Sequence, residues 1–251
     1  MTIIQAIILG IVEGITEFLP ISSTGHLILT SKLLGIADSD FLKSFEIAIQ
    51  FGAILAVVVL YWRKIWQSKD NWKKILVAFL PTAIIGFLLY KILKYYLLSN
   101  VSVVLWSLLL GGILLIIFEE WNKANCITFE KINYRDSFWI GVLQSLAIVP
   151  GVSRSGATIV GGMLMGISRE AIVEFSFLLA IPTMAAATFY DLSKSAGSFS
   201  FGQFHLLAVG FITSFVVALL AIKWFIRYIK NHSFTAFGVY RIVAALAFWL
   251  L

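Results

Sequence analysis

Polar and apolar positions divide this chain into two kinds of segment. Six runs, over residues 41–62, 75–98, 101–118, 170–190, 203–222 and 235–251, are apolar almost without interruption. A helix needs about 20 such residues to cross the hydrocarbon of a bilayer. None of the six alternates with the period of two that a barrel strand requires, so six transmembrane helices are predicted, two of them kinked at Pro81 and Pro182. The segments 2–36 and 137–167 are built differently. Each has a short apolar stretch, a break at Pro20 or at Pro150-Gly151, a turn of small polar residues, and a second short apolar stretch. Backbone freed from a helix at membrane depth must be buried in protein or line a cavity, so both segments predict re-entrant helical hairpins.

The two unusual segments are one segment written twice. GIVEGITEFLPISSTG, from Gly10 to Gly25, aligns without a gap on GVLQSLAIVPGVSRSG, from Gly141 to Gly156. Glu13 then falls on Gln144, Ser22 on Ser153, Ser23 on Arg154, and Leu34-Gly35-Ile36 on Met165-Gly166-Ile167. Repeat one covers about 1–118 and repeat two about 137–251, within a single membrane domain spanning 1–251. Three predicted crossings separate the hairpins, and an odd number makes the second enter from the opposite face. The expected fold is therefore an all-α integral membrane protein, six transmembrane helices plus two re-entrant helical hairpins in an inverted-topology repeat, an arrangement secondary transporters use to place half-helix ends at a central site.

Composition agrees: 60% of the 251 residues are hydrophobic, 13% are charged, and mean hydropathy is +0.96. The first 18 residues have no basic start and carry two glutamates, unlike a cleavable signal peptide, and are expected to belong to the mature protein. Cys126 is the one cysteine, which excludes an intrachain disulfide and a CxxC metal site. The net charge of +6 comes from basic residues in short loops beside apolar runs, so anionic lipid headgroups are the expected neighbours and nucleic acid is not. Placing Arg63, Lys64, Lys69, Lys73 and Lys74 in the cytoplasm also places Lys123, Lys131, Arg135, Arg169, Lys223, Arg227 and Lys230 there. Only Lys32, Lys43, Lys91, Lys94 and Lys194 then fall outside, as the positive-inside rule demands, and both termini are predicted outside. Trp62, Trp66, Tyr95, Tyr96 and Trp121 suit interfacial belts, and His205 and His232 lie near predicted helix ends.

Ionisable groups at membrane depth are costly and mark partners or pathways, which turns attention to the repeat. Glu13 and Glu17, four apart, project from one helix face and can share a proton, hold a divalent cation or supply a general base. His26 follows the Ser22-Ser23-Thr24-Gly25 turn, three residues after Ser23, as a structural group, a nucleophile or a proton carrier. In the second copy, Ser153, Ser155, Thr158 and the glycines offer a helix start to an anion, and Arg154 adds a planar fork matched to phosphate oxygens. Ser22 is the equivalent candidate in the first copy. The bland account has Ser153 capping a helix, Arg154 reaching for headgroups and the glycines packing helices. Glu46 and Gln50, four apart, and Gln144 either support the site from behind or hydrogen-bond between helices, and Gly111-Gly112 and Gly161-Gly162 are expected packing contacts.

EGITEFLPISSTGH and PGVSRSGAT resemble the two signature motifs of the bacterial undecaprenyl pyrophosphate phosphatase family, also called bacitracin-resistance proteins, and FEIAIQ is similar to a third. The resemblance covers essentially the whole chain, with no departure at a motif position. It implies hydrolysis of undecaprenyl pyrophosphate to undecaprenyl phosphate and inorganic phosphate in the bacterial cell membrane, recycling the lipid carrier for peptidoglycan and other wall polymers. It places the site toward the extracytoplasmic face and puts functional positions on Glu13, Glu17, Ser23, His26, Ser153, Arg154, Ser155 and Thr158. It also implies a divalent cation, Mg or Ca, which agrees with the Glu13 and Glu17 pair. On this reading Arg154 and its neighbours hold the pyrophosphate, while His26, Ser23 or water attacks. A homodimer stays open. The principal rival is a secondary transporter or lipid flippase exploiting the inverted repeat; a membrane scaffold would tolerate neutral residues at all these positions.

Overall fold

A computed structural model describes residues 1–92, 100–121, 127–195 and 203–250. Lys94, Tyr95, Tyr96, Lys123 and Cys126 lie outside the described residues. In chain order the helices are α1 (Ile3–Thr16), α2 (Ser23–Leu33), α3 (Asp40–Gln67), α4 (Lys69–Ile92), α5 (Val101–Trp121), α6 (Tyr134–Gln144), α7 (Arg154–Leu164), α8 (Arg169–Ser195), α9 (Phe204–Ile229) and α10 (Thr235–Trp249). Among the described residues there is no strand, only an isolated bridge between Ile127 and Ile167.

Within α3, α4, α5, α8 and α9 lie stretches long and apolar enough to cross a membrane. The protein is an all-α, multi-pass membrane protein. The sixth expected crossing became α10, whose 15 residues fall short of a perpendicular span. Several helices overrun the apolar runs that predicted them. Ser39 caps α3 through Leu42 N–H at 3.1 Å, and α3 continues to Gln67 through Arg63 and Lys64, because a helix leaving the hydrocarbon can carry charged residues into water. Pro81 and Pro182 both lie inside continuous helices. Some basic residues expected beside lipid headgroups are paired within the protein instead. Lys64 meets Glu174 at 2.6 Å, Lys74 meets Asp70 at 2.9 Å, and Arg169 bonds the buried Glu119. Trp62, Trp66 and Trp121 are exposed, as belt residues should be.

Packing repeats with the sequence. α1 lies on α9 as α6 lies on α4, α3 packs on α9 as α8 packs on α4, and α5 and α10 meet each other. The equivalent glycines Gly10 and Gly141 permit the first of these pairings. A Cβ on Gly10 would meet the Gly210 carbonyl at 2.8 Å, and one on Gly141 would overlap the Ala78 carbonyl. Close backbone approach through small residues is how helices associate where lipid is as apolar as leucine. Gly141→Ala is therefore expected to push α6 off α4 and destabilise the protein by about 1–3 kcal/mol, read as a lower melting temperature in detergent. An unchanged melting temperature would show that this contact has slack.

Candidate active site

The break between α1 and α2 matches the break between α6 and α7 at the level of individual dihedrals. α1 ends at Thr16, and the chain turns until Ser22, with φ 73° and ψ 93°, caps α2 through Gly25 N–H. α6 ends at Gln144 and passes through a 3-10 turn at Ser145–Ile148. Ser153, with φ 79° and ψ 116°, then caps α7 through Gly156 N–H at 3.0 Å. Among the described residues these two serines are the only non-glycine residues with positive φ. Each such conformation costs on the order of 1–3 kcal/mol and persists where surrounding structure enforces it, most often at functional sites. The copies also end alike, on Gly35 at φ 62° and Gly166 at φ 79°.

The residues just after the two serines, Ser23 and Arg154, meet over Glu17. Ser23 Oγ donates to Glu17 Oε2 at 2.5 Å, and Arg154 Nη2 donates to Glu17 Oε1 at 2.9 Å. Arg154 Nη1 donates to the Ser176 carbonyl at 2.7 Å and to Ser176 Oγ at 3.3 Å. Its Nε–H is buried without a protein acceptor. A second tie between the copies runs from Ser155 Oγ to the Leu19 carbonyl at 2.7 Å. Glu17, Ser22, Ser23, Ser153 and Arg154 line the charged part of a cavity of about 500 Å³, whose other walls include Gln50, Thr82, Gln144 and Thr183 together with Phe79, Phe87, Ile148 and Met184. A space with a charged pair and largely apolar walls suits a ligand that is anionic at one end and greasy along its length.

Not every expected residue faces this cavity. Thr158 Oγ1 donates to Ser176 Oγ at 2.7 Å and so backs the group that holds Arg154. Ser155 is fully buried between the copies. His26 Nδ1 lies 2.8 Å from the Ser22 carbonyl, which fixes the proton there, and Nε2 accepts from Tyr240 OH at 2.8 Å. Both imidazole nitrogens are thus engaged, away from the cavity lining. Gln144, equivalent to Glu13, does line the cavity, with Thr82 and Thr183, to which it donates at 2.8 Å and 3.3 Å, joining α6 to α4 and α8.

Glu13, one turn before Glu17, is fully buried and neither carboxylate oxygen has a protein donor. Carboxylate oxygens from Glu13 and Glu17 are of the kind that a hard divalent cation takes. Among the described residues no third His, Cys, Asp or Glu completes a cluster, so water and phosphate oxygens would fill the remaining positions, as is usual for Mg²⁺.

Three contributors escaped the sequence reading. Ser176 on α8 carried no signal, being one serine in a long helix. Tyr240 and Arg241 did carry one, because Arg241 is a lone charge in an apolar run. Gly111, expected as a packing residue, makes room for the Arg241 guanidinium, while Gly112 approaches the Gly238 carbonyl.

A family model described as "Bacitracin resistance protein BacA" matches residues 6–247. The chain belongs to this family. Among BacA relatives, the undecaprenyl-diphosphatase of Aquifex aeolicus (strain VF5) is 57% identical over 250 residues, covering 99% of this chain and 98% of that protein. The undecaprenyl-diphosphatases of Sulfurihydrogenibium sp. (strain YO3AOP1) and Persephonella marina (strain DSM 14350 / EX-H1) are each 53% identical over 253 residues, covering 100% of this chain and 99% of each relative.

Proposed function

We propose that this BacA protein hydrolyses undecaprenyl pyrophosphate to undecaprenyl phosphate and inorganic phosphate, recycling the lipid carrier of wall polymer synthesis. The observation that carries the reading is Glu17 held between Ser23 and Arg154 in the charged part of a largely apolar cavity. A nucleophile hydrogen-bonded to a base that a third group orients is the recurring signature of covalent catalysis. The names of the full-length relatives point to the same reaction.

In the proposed reaction the pyrophosphate enters the charged part with the prenyl chain along the apolar walls. Arg154 offers its unpartnered Nε–H to a phosphoryl oxygen and offsets the charge spreading over the equatorial oxygens. Ser23 Oγ attacks the terminal phosphorus while Glu17 takes its proton. The bond from that phosphorus to the bridging oxygen breaks, and undecaprenyl phosphate leaves with the electron pair. Water then displaces Ser23 from the phosphoserine, Glu17 returns the proton to Ser23 Oγ, and inorganic phosphate departs. Glu13 and Glu17 would hold a divalent cation, which supplies positive charge near the pyrophosphate when bound. His26 supports the Ser22 turn rather than attacking, since both its nitrogens are occupied.

Six crossings, with α1–α2 and α6–α7 as re-entrant hairpins, form two inverted repeats of about 1–118 and 137–251, both termini outside and the site toward the extracytoplasmic face. The exchange of partners in packing, α1 with α9 and α6 with α4, supports an inverted pair.

Proteoliposomes distinguish the enzyme from its rival. Purified protein is expected to release phosphate from undecaprenyl pyrophosphate; movement of lipid or solute without phosphate release would instead favour a transporter. For the cation, chelation should abolish turnover, and Glu13→Gln should raise the half-saturating Mg²⁺ concentration by about tenfold or more. Full activity in chelator would remove the cation from the account.

A further inference from the structure

Arg241 is the least expected side chain in the molecule. It lies on α10, is 1% exposed, and has no carboxylate partner among its hydrogen bonds. All five guanidinium N–H groups have a backbone acceptor. Nε donates to Leu108 O at 3.3 Å. Nη1 donates to Pro20 O at 3.1 Å and Val152 O at 3.0 Å, and Nη2 donates to Ser107 O and Gly151 O, each at 2.9 Å. A guanidinium has five such donors in a fixed plane, so the fork is saturated.

The acceptors show what it does. Pro20 and Gly151 occupy the same position in the two copies of the repeat, each three residues before the residue that meets Glu17. Pro20 precedes Ser23, and Gly151 precedes Arg154. One rigid planar group thus takes the equivalent carbonyl of each break, while Ser107 and Leu108 of α5 anchor it from the side. Gly111 leaves the space; a Cβ there would overlap Nη2. The neighbouring Tyr240 bonds His26 Nε2, whose Nδ1 bonds the carbonyl of the strained Ser22, so α10 reaches the first break twice.

We propose that Arg241 is a positioning residue for the phosphatase reaction, fixing the two hairpin breaks against each other so that Ser23 and Arg154 converge on Glu17. This role rests on the proposed function. It acts on chemistry through geometry: the separation of the breaks sets whether the nucleophile and the anion clamp address the same phosphoryl group, and displacement by about 1 Å can cost on the order of 100-fold in rate. A buried charge surrounded only by carbonyls is costly in a bilayer, in keeping with retention for function.

The test compares wild type, Arg241→Lys and Gly111→Ala, with phosphate release from undecaprenyl pyrophosphate in detergent micelles measured per folded molecule. Lysine keeps the charge but offers three donors from one nitrogen, and Gly111→Ala displaces the guanidinium without removing it. Both variants are expected to lose about 100-fold in kcat while KM stays within about threefold, the mark of a misaligned but still occupied site. Wild-type kcat in the folded fraction of both variants would reduce Arg241 to a purely structural strut and overturn the role. Loss confined to KM would overturn it too. An inactive wild type would contradict the phosphatase reading itself, and this role with it, whereas active wild type with active variants would contradict the positioning role alone.

Discussion

Ser23→Ala is expected to lower kcat by about 10⁴-fold or more with KM little changed, the scale seen when an enzyme that forms a covalent intermediate loses its nucleophile. The substitution is conservative for the fold. Ser23 is the first residue of α2, where alanine is a good helix former, and the cap comes from Ser22, which the change leaves in place. What disappears is the 2.5 Å bond to Glu17 Oε2 and the atom proposed to attack phosphorus. The measurement is steady-state phosphate release from undecaprenyl pyrophosphate, with circular dichroism confirming helix content. A rate within tenfold of wild type would mean that Glu17 activates water directly.

Arg154→Ala should cost about 10³-fold in kcat, since a cation placed on a transferring phosphoryl group contributes most as charge spreads in the transition state. Arg154→Lys should recover little of it. A single ammonium cannot reproduce the fork that bonds Ser176 on one side and Glu17 on the other while presenting a further N–H to substrate. Removing the guanidinium also leaves the buried Glu17 carboxylate without its ion-pair partner, which for pairs of this kind costs about 3–5 kcal/mol. Activity must therefore be expressed per folded protein. The lysine variant, which keeps a positive charge near Glu17, separates catalytic from stability loss, and near-wild-type turnover by it would show that charge alone suffices.

Much of this site was legible because membrane sequences make polar residues conspicuous. The duplicated break was visible in Pro20, Pro150-Gly151 and the aligned serines, and the structure returns it as matching dihedrals at Ser22 and Ser153. The convergence of Glu17, Ser23 and Arg154 followed from treating both copies as one site. Other features depend on tertiary contacts that no local pattern encodes. Thr158 and Ser155 carry the right chemistry at the right spacing, yet they face α8 and Leu19 because a helix start points only some of its side chains at a ligand. Ser176 matters solely through the helix opposite it. Arg241 is a different case: the charge was plain in the sequence, and only its pairing with five carbonyls needed coordinates. Helix α10 is shorter than the apolar run that predicted it. The run 235–251 reads as a full-length crossing, but α10 has 15 residues, and it buries Arg241 while the adjacent Tyr240 stays exposed.

The most direct measurement is an acid quench of the enzyme during turnover of undecaprenyl pyrophosphate carrying ³²P in its terminal phosphate, followed by peptide mapping. Label on the peptide at Ser23, present in wild type and absent from Ser23→Ala, is the expected result. Turnover at full rate with no protein-bound label, or label on His26, would contradict attack by Ser23.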